Sequence, residues 1–200
     1  MTCIIGIKDE KTGKIYLGCD SAVTMGNHIA YSLNHPKIFK RGEFLFGGAG
    51  ALRDLQIVGH VSAIPPCLEK QDPLEYMINI LVPELRKSFN EVGRMEIIDS
   101  QEEGDSIFLV VFRGHLYLIA GRFDVLEIEE GFQSIGSGYQ CALGSLNTTK
   151  GRNMDAKSRI KVALETAAKY DIYVNGPFEI IDEEGNVTKW SDGEPLPEEK

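Results

Sequence analysis

At 200 residues, 42% hydrophobic and 26% charged, the chain is long enough to bury one domain's core without disulfides or structural metals. A formal net charge of -9 argues against nucleic-acid binding, which needs a basic stripe to displace counterions, and against attraction to anionic lipid. Part of that charge lies in an acidic C-terminal extension, residues 182–200, read as solvated surface.

The chain opens with strands. Residues 2–8 are rich in β-branched side chains, 9–13 form a turn cluster and 14–20 return as a second strand. Short apolar runs at 29–33, 37–40 and 43–46 are further strands. The run Gly47, Gly48, Ala49, Gly50 breaks this pattern and hands over to a helix from about 51 to 62. Asp72 followed by Pro73 is a helix N-cap with proline in the first turn, opening a helix to about 92 that Pro83 kinks or splits. Residues 96–105 are polar and read as a loop.

A hairpin then pairs 106–112 with 116–120 around Arg113 and Gly114, and strands follow at 125–128 and 132–135. Residues 138–146 and 155–170 are helical; the second helix carries Ile160, Ala163, Leu164 and Ala167 on one face. Strands at 178–181 and 187–190 flank a turn at Glu184, Gly185 and Asn186. Strands and helices thus come in segregated runs, which specifies α+β rather than alternating βαβ units. Two stacked antiparallel sheets with helices on both outer sides, a four-layer αββα sandwich in one domain over 1–200, satisfy this order. Sheets covered on both faces also explain the run IFLVVF, which barely alternates.

Neither glycine run matches a dinucleotide or phosphate loop, and no G-x-S-x-G elbow is present. Cys3, Cys19, Cys67 and Cys141 form no C-x-x-C pair, and His28, His35, His60 and His115 are isolated, so no metal or cofactor is expected. Scattered reduced thiols, no signal peptide and no window of membrane-spanning length suit a cytoplasmic protein.

Thr2 commands notice because removal of Met1 would give one residue both a hydroxyl and a free α-amine. That amine titrates near ~7.7–8.0 and accepts the hydroxyl proton at neutral pH without a histidine. A threonine after the initiator Met usually means only that Met1 is easily trimmed. Asp20, ending the second strand, is by itself a turn cap, and Lys37 a solvated lysine. Held together they form a charged pair able to lower an amine's proton affinity. Gly47 is either a tight junction or a backbone oxyanion donor, and Ser137 is in isolation an N-cap. Cys3, a rival nucleophile, points to the opposite strand face from Thr2 and is read as a buried thiol.

Taken in order, the segments Thr2 to Gly6, Gly18 to Ala22, Gly26-Asn27, Asn34 to Ile38, Gly47 to Ala49 and Ile135-Gly136-Ser137-Gly138 resemble the proteasome β-subunit family of N-terminal-nucleophile hydrolases. The stretch from Ala163 to Asn175 is most similar to the family's bacterial HslV-type branch, in which the threonine directly follows Met1. The resemblance implies a threonine peptidase. Thr2 is then nucleophile and, through its amine, base; Asp20 and Lys37 are the charged pair. Gly47 supplies the oxyanion N–H, Ser137 orients the amine and Asp171 supports it. Leu45 and Ala49 would line a pocket for apolar substrate side chains. Protein or peptide substrates, a homo-oligomeric ring and an AAA+ unfoldase are the implied partners. The chain departs from the pattern at Val174, where proteasome subunits usually carry serine, and in the apparent additions at 96–105 and after 181. An inactive ring subunit, an amidase for small amides and a monomeric binding module with Met1 retained remain open at this level.

Overall fold

A computed structural model of the chain describes residues 2–25, 28–31, 36–98 and 101–197. Strands β1 (Cys3–Lys8), β2 (Ile15–Asp20), β3 (Ala22–Met25), β4 (His28–Tyr31), β5 (Ile38–Arg41) and β6 (Phe44–Ala49) come first. Helix α1 (Leu52–Gln56) runs on into a π-helical turn, Ile57–Val61. Helix α2 (Pro73–Tyr76) passes through a second such turn, Met77–Leu81, into α3 (Val82–Glu91). Strands β7 (Glu96–Ile98), β8 (Gln101–Glu103), β9 (Ile107–Phe112), β10 (His115–Ile119), β11 (Val125–Glu127) and β12 (Phe132–Gly136) follow. Helices α4 (Tyr139–Thr149) and α5 (Ala156–Tyr170) precede β13 (Phe178–Asp182) and β14 (Val187–Trp190).

Two antiparallel five-stranded sheets result, ordered β12-β1-β2-β13-β14 and β11-β10-β9-β6-β5. Each strand near the centre feeds two cores, which is why its sequence lacks alternation. Leu109 and Val111 of β9 face the other sheet, with Ile4, Leu17, Ile38 and Leu45. Phe108, Val110 and Phe112 face α1 to α3, against Leu55, Tyr76, Leu81 and Phe89. On the opposite outer side Cys3, Ile5 and Ile7 meet Leu146, Ile160, Ala163 and Leu164 of α4 and α5. The molecule is therefore helices, sheet, sheet, helices, as the order of elements implies.

Glycine decides how closely α5 lies on its sheet: a Cβ at Gly18 would stand 2.3 Å from Ile160 Cγ2. Two predicted caps are in place. Asp72 accepts the Glu75 N–H at 2.9 Å with Pro73 behind it, and Asp155 accepts the Ser158 N–H at 2.8 Å. Arg113 and Gly114 take φ of 48° and 76°, the left-handed pair a two-residue hairpin turn requires.

Two elements differ from expectation, and the break at Pro83 falls where the sequence placed it. Residues 96–105 hold a small hairpin, β7 pairing with β8 from Glu96 opposite Glu103 to Ile98 opposite Gln101. Among the described residues its strands pair only with each other, and they carry no period-two apolar pattern that would betray them. Strand β3, unforeseen, pairs with β4, while residues 32–33 of the expected strand lie outside the described residues. The long second helix is split ahead of Pro83, where the ladder widens into the π-helical turn because the proline ring removes an N–H. The acidic extension is anchored through Trp190, buried against Phe178 with ring centroids 5.3 Å apart.

Candidate active site

Thr2 lies at the start of β1, held from the β12 side. The Gly138 N–H and the Ser137 hydroxyl reach its carbonyl at 3.3 and 3.4 Å. Gly136 makes that approach possible: its φ is +93°, and a Cβ there would meet the Thr2 carbonyl oxygen at 2.2 Å. The antiparallel ladder sets Cys3 opposite Gly136 and Ile4 opposite Cys19, so the first residue of β1 stands beside the last of β2. That last residue is Asp20.

Asp20 is fully buried, and donors surround it. Its Oδ1 accepts the Thr2 hydroxyl at 2.5 Å, the Cys3 N–H at 2.9 Å and Lys37 Nζ at 2.8 Å. Its Oδ2 accepts the Ala22 and Asn175 N–H groups at 3.2 and 3.4 Å. Thr2 and Lys37 are themselves only 4% and 7% exposed. Backbone amides and an ammonium replace the water that this buried carboxylate has lost. Three residues far apart in sequence thus share one oxygen atom: hydroxyl, ammonium and carboxylate in contact. The three backbone donors were not foreseen. Asn175 carried a faint signal, standing in the stretch most similar to the HslV-type branch, but an N–H has no side-chain identity to read.

The remaining expected residues are distributed around this centre. Lys37 enters from the segment before β5, and its carbonyl accepts the Gly48 N–H at 3.0 Å. Gly47 lies between Ile38 and Leu109 in the second sheet, packed beneath Ile4. Since successive strand amides alternate in direction, the Gly47 N–H is turned toward β9, away from the Lys37 side. Ala49 lines the cavity beside Thr2, whereas Leu45 is 1% exposed and packed between the sheets. Asp171 accepts the Tyr173 N–H at 2.9 Å through Oδ1, and its Oδ2 is buried with no partner among the described residues. Val174 is fully buried in the core under α4 and α5.

The cavity beside Thr2 measures about 680 Å³, with Ala49, Ile107, Leu118, Ile135 and Tyr139 on its walls. A larger groove of about 1050 Å³, bounded by Val82, Pro83 and Phe123, holds none of the expected residues. Cys3 is a different environment altogether. Burial, offset in part by the Ser134 hydroxyl, pushes its thiol up to about 12, and burial likewise raises Cys19. Neither is a nucleophile at neutral pH. No cluster of His, Cys, Asp or Glu able to hold a metal occurs among the described residues.

No protein-family model matches the chain. An ATP-dependent protease subunit HslV from Chlorobium luteolum is 28% identical over 177 residues, spanning 87% of this chain and 90% of that protein. Among solved structures, Thiobacillus denitrificans BPH superposes with a TM-score of 0.77 at 18% identity, covering 90% of this chain and 96% of that one. The same protein solved in complex with epoxomicin gives a TM-score of 0.73, also at 18% identity, over 90% and 97% of the two chains.

Proposed function

We infer that this chain, a relative of the HslV-type protease subunits with the N-terminal-nucleophile hydrolase fold, is a threonine peptidase whose nucleophile is Thr2. One observation carries the reading: the Thr2 hydroxyl lies on the same buried Asp20 oxygen as the Lys37 ammonium, beside an apolar cavity. Asp20 orients Oγ, and Lys37 balances the carboxylate and favours an alkoxide over a hydroxyl as the proton leaves.

The proposed reaction is acyl transfer. With Met1 removed, the free Thr2 amine takes the Oγ proton as Oγ attacks a peptide carbonyl. The tetrahedral oxyanion collapses, the amine returns that proton to the departing peptide nitrogen, and an ester to Thr2 remains. Water, deprotonated by the same amine, then hydrolyses the ester. Ser137 and the buried Oδ2 of Asp171, without a partner among the described residues, are the groups proposed to orient the amine. The resemblance assigns the oxyanion N–H to Gly47, whose amide here lies in the ladder with β9 and off the cavity wall. Loss of such a donor costs roughly 10²–10³ in rate. The cavity walls favour apolar substrate side chains, with Ala49 at the rim.

The relatives' name as ATP-dependent protease subunits supports a multi-subunit protease served by an ATPase; a homo-oligomeric ring, an AAA+ unfoldase and a cytoplasmic setting complete the proposal. The epoxomicin complex of BPH supports the choice of probe. The test is the intact mass of the purified protein before and after incubation with a peptide epoxyketone. A mass lacking Met1 and one covalent adduct, absent in Thr2→Ala, is the expected result. Retained Met1 with no adduct overturns the reading.

A further inference from the structure

A second buried carboxylate stands close to the cavity, outside the cluster around Thr2. Asp54 of α1 is fully buried, and Arg94, from the segment after α3, grips it with Nε at 2.7 Å on Oδ1 and Nη2 at 3.3 Å on Oδ2. The Ser106 hydroxyl donates to Asp54 Oδ2 at 2.7 Å and accepts the Ala51 N–H at 3.1 Å. Arg94 Nη2 also reaches Asp105 at 3.2 Å. Between these groups runs Gly50, at φ +140°, so tightly that a Cβ would lie 2.2 Å from Ser106 Oγ and 2.7 Å from the Asp105 carbonyl oxygen. Ala49, Gly50 and Asp105 all line the cavity that opens on Thr2.

A buried ion pair is a poor device for stability alone, since its desolvation cost cancels much of its attraction and apolar residues would pack as well. Here it ends, through one hydroxyl, on a backbone N–H at the cavity rim. We propose that Asp54, with Arg94 and Ser106, is a positioning group for the reaction: it clamps residues 49–51 to the start of β9 and so fixes the rim against which substrate must lie relative to Thr2. The proposal rests on the peptidase reading above. It gives Arg94, which no sequence motif singles out, a role at a distance from the reacting atoms.

The test follows adduct formation with the peptide epoxyketone as a function of its concentration, separating the maximal rate from the half-saturating concentration. Arg94 is 29% exposed, so Arg94→Gln leaves no large void, and Ser106→Ala removes only the hydroxyl. Both variants are expected to slow the maximal rate roughly tenfold to a hundredfold, the scale of a misplaced reacting group, with half-saturation changed less than about threefold. Arg94→Lys restores part of the rate, and hydrogen exchange at Ala51 and Leu52 speeds up in the two impaired variants. An unchanged maximal rate in a variant whose thermal midpoint has dropped overturns the proposal and leaves the network a purely structural one. If the wild-type protein itself takes no adduct, the peptidase reading fails and the clamp loses its catalytic meaning with it. A labelled wild type with equally labelled variants sinks the clamp alone.

Discussion

Replacing Lys37 by methionine keeps the length of the side chain and removes its charge from a site where the two partners are 8% and 0% exposed. At 2.8 Å and an effective dielectric of about 20, the attraction between Nζ and Asp20 is on the order of 6 kcal/mol before desolvation is counted. Removing one partner of such a buried pair costs about 3–5 kcal/mol, because the other charge is stranded. Asp20 keeps four other donors, from Thr2, Cys3, Ala22 and Asn175, which places the expected loss near the lower figure. For a chain of this size about 3 kcal/mol lowers the thermal midpoint by roughly 6–12 °C. Thermal unfolding of wild type, Lys37→Met, Asp20→Asn and the double variant closes the cycle. The double variant should lose less than the sum of the singles by about 1–3 kcal/mol, since it strands no charge. The same Lys37→Met protein should form the epoxyketone adduct at least ~10²-fold more slowly, because the hydroxyl loses the cation that favours its alkoxide. Additive losses, or an adduct rate within a factor of two of wild type, would show that the ammonium and carboxylate do not act as a pair.

Gly136→Ala is expected to cost about 1–3 kcal/mol in backbone strain and to displace Thr2, whose carbonyl the new methyl would strike; adduct formation should fall further than stability. Mass spectrometry of the native variant before and after denaturation separates the two effects. Cys3 should resist iodoacetamide at pH 8 in the folded protein and react fully once denaturant is added. Its thiol also links stability to alkaline pH. With the folded value raised to about 12 from an ordinary 9.0, its contribution is complete below pH 9 and is lost as pH climbs toward 12. Cys3→Ser, which cannot ionise there, should flatten that part of the stability profile.

Much of the scaffold was legible because its signals are local. Asp72 before Pro73 and Asp155 before α5 announce helix starts through hydrogen bonds spanning three residues, and Arg113-Gly114 announces a turn through backbone conformation. The unalternating run at 107–112 fits a strand buried on both faces, while the four layers were suggested by the order of strands and helices and not by periodicity. The hairpin at 96–103 was invisible for the complementary reason: it buries no shared face, so nothing in its residue pattern repeats at period two.

The catalytic candidates were visible as residue types but not as a constellation. Thr2, Asp20 and Lys37 entered as a nucleophile, a turn cap and a lysine, joined only by the spacing of a resemblance. Their meeting on one oxygen is decided by the β1–β2 register and by the segment before β5 descending onto the end of β2. Leu45 and Ala49 share a strand face and a sequence context, yet one is sealed between the sheets and the other opens on the cavity, a distinction set by where β6 emerges from under the first sheet. Asp54, Arg94 and Ser106 lay in three separate elements with no common motif. Sequence by itself determined what each segment could become, because propensity, capping and periodicity act over a few residues. Which polar groups lost their water together was decided only by the tertiary structure, because burial and charge pairing depend on strands that the chain brings together from opposite ends.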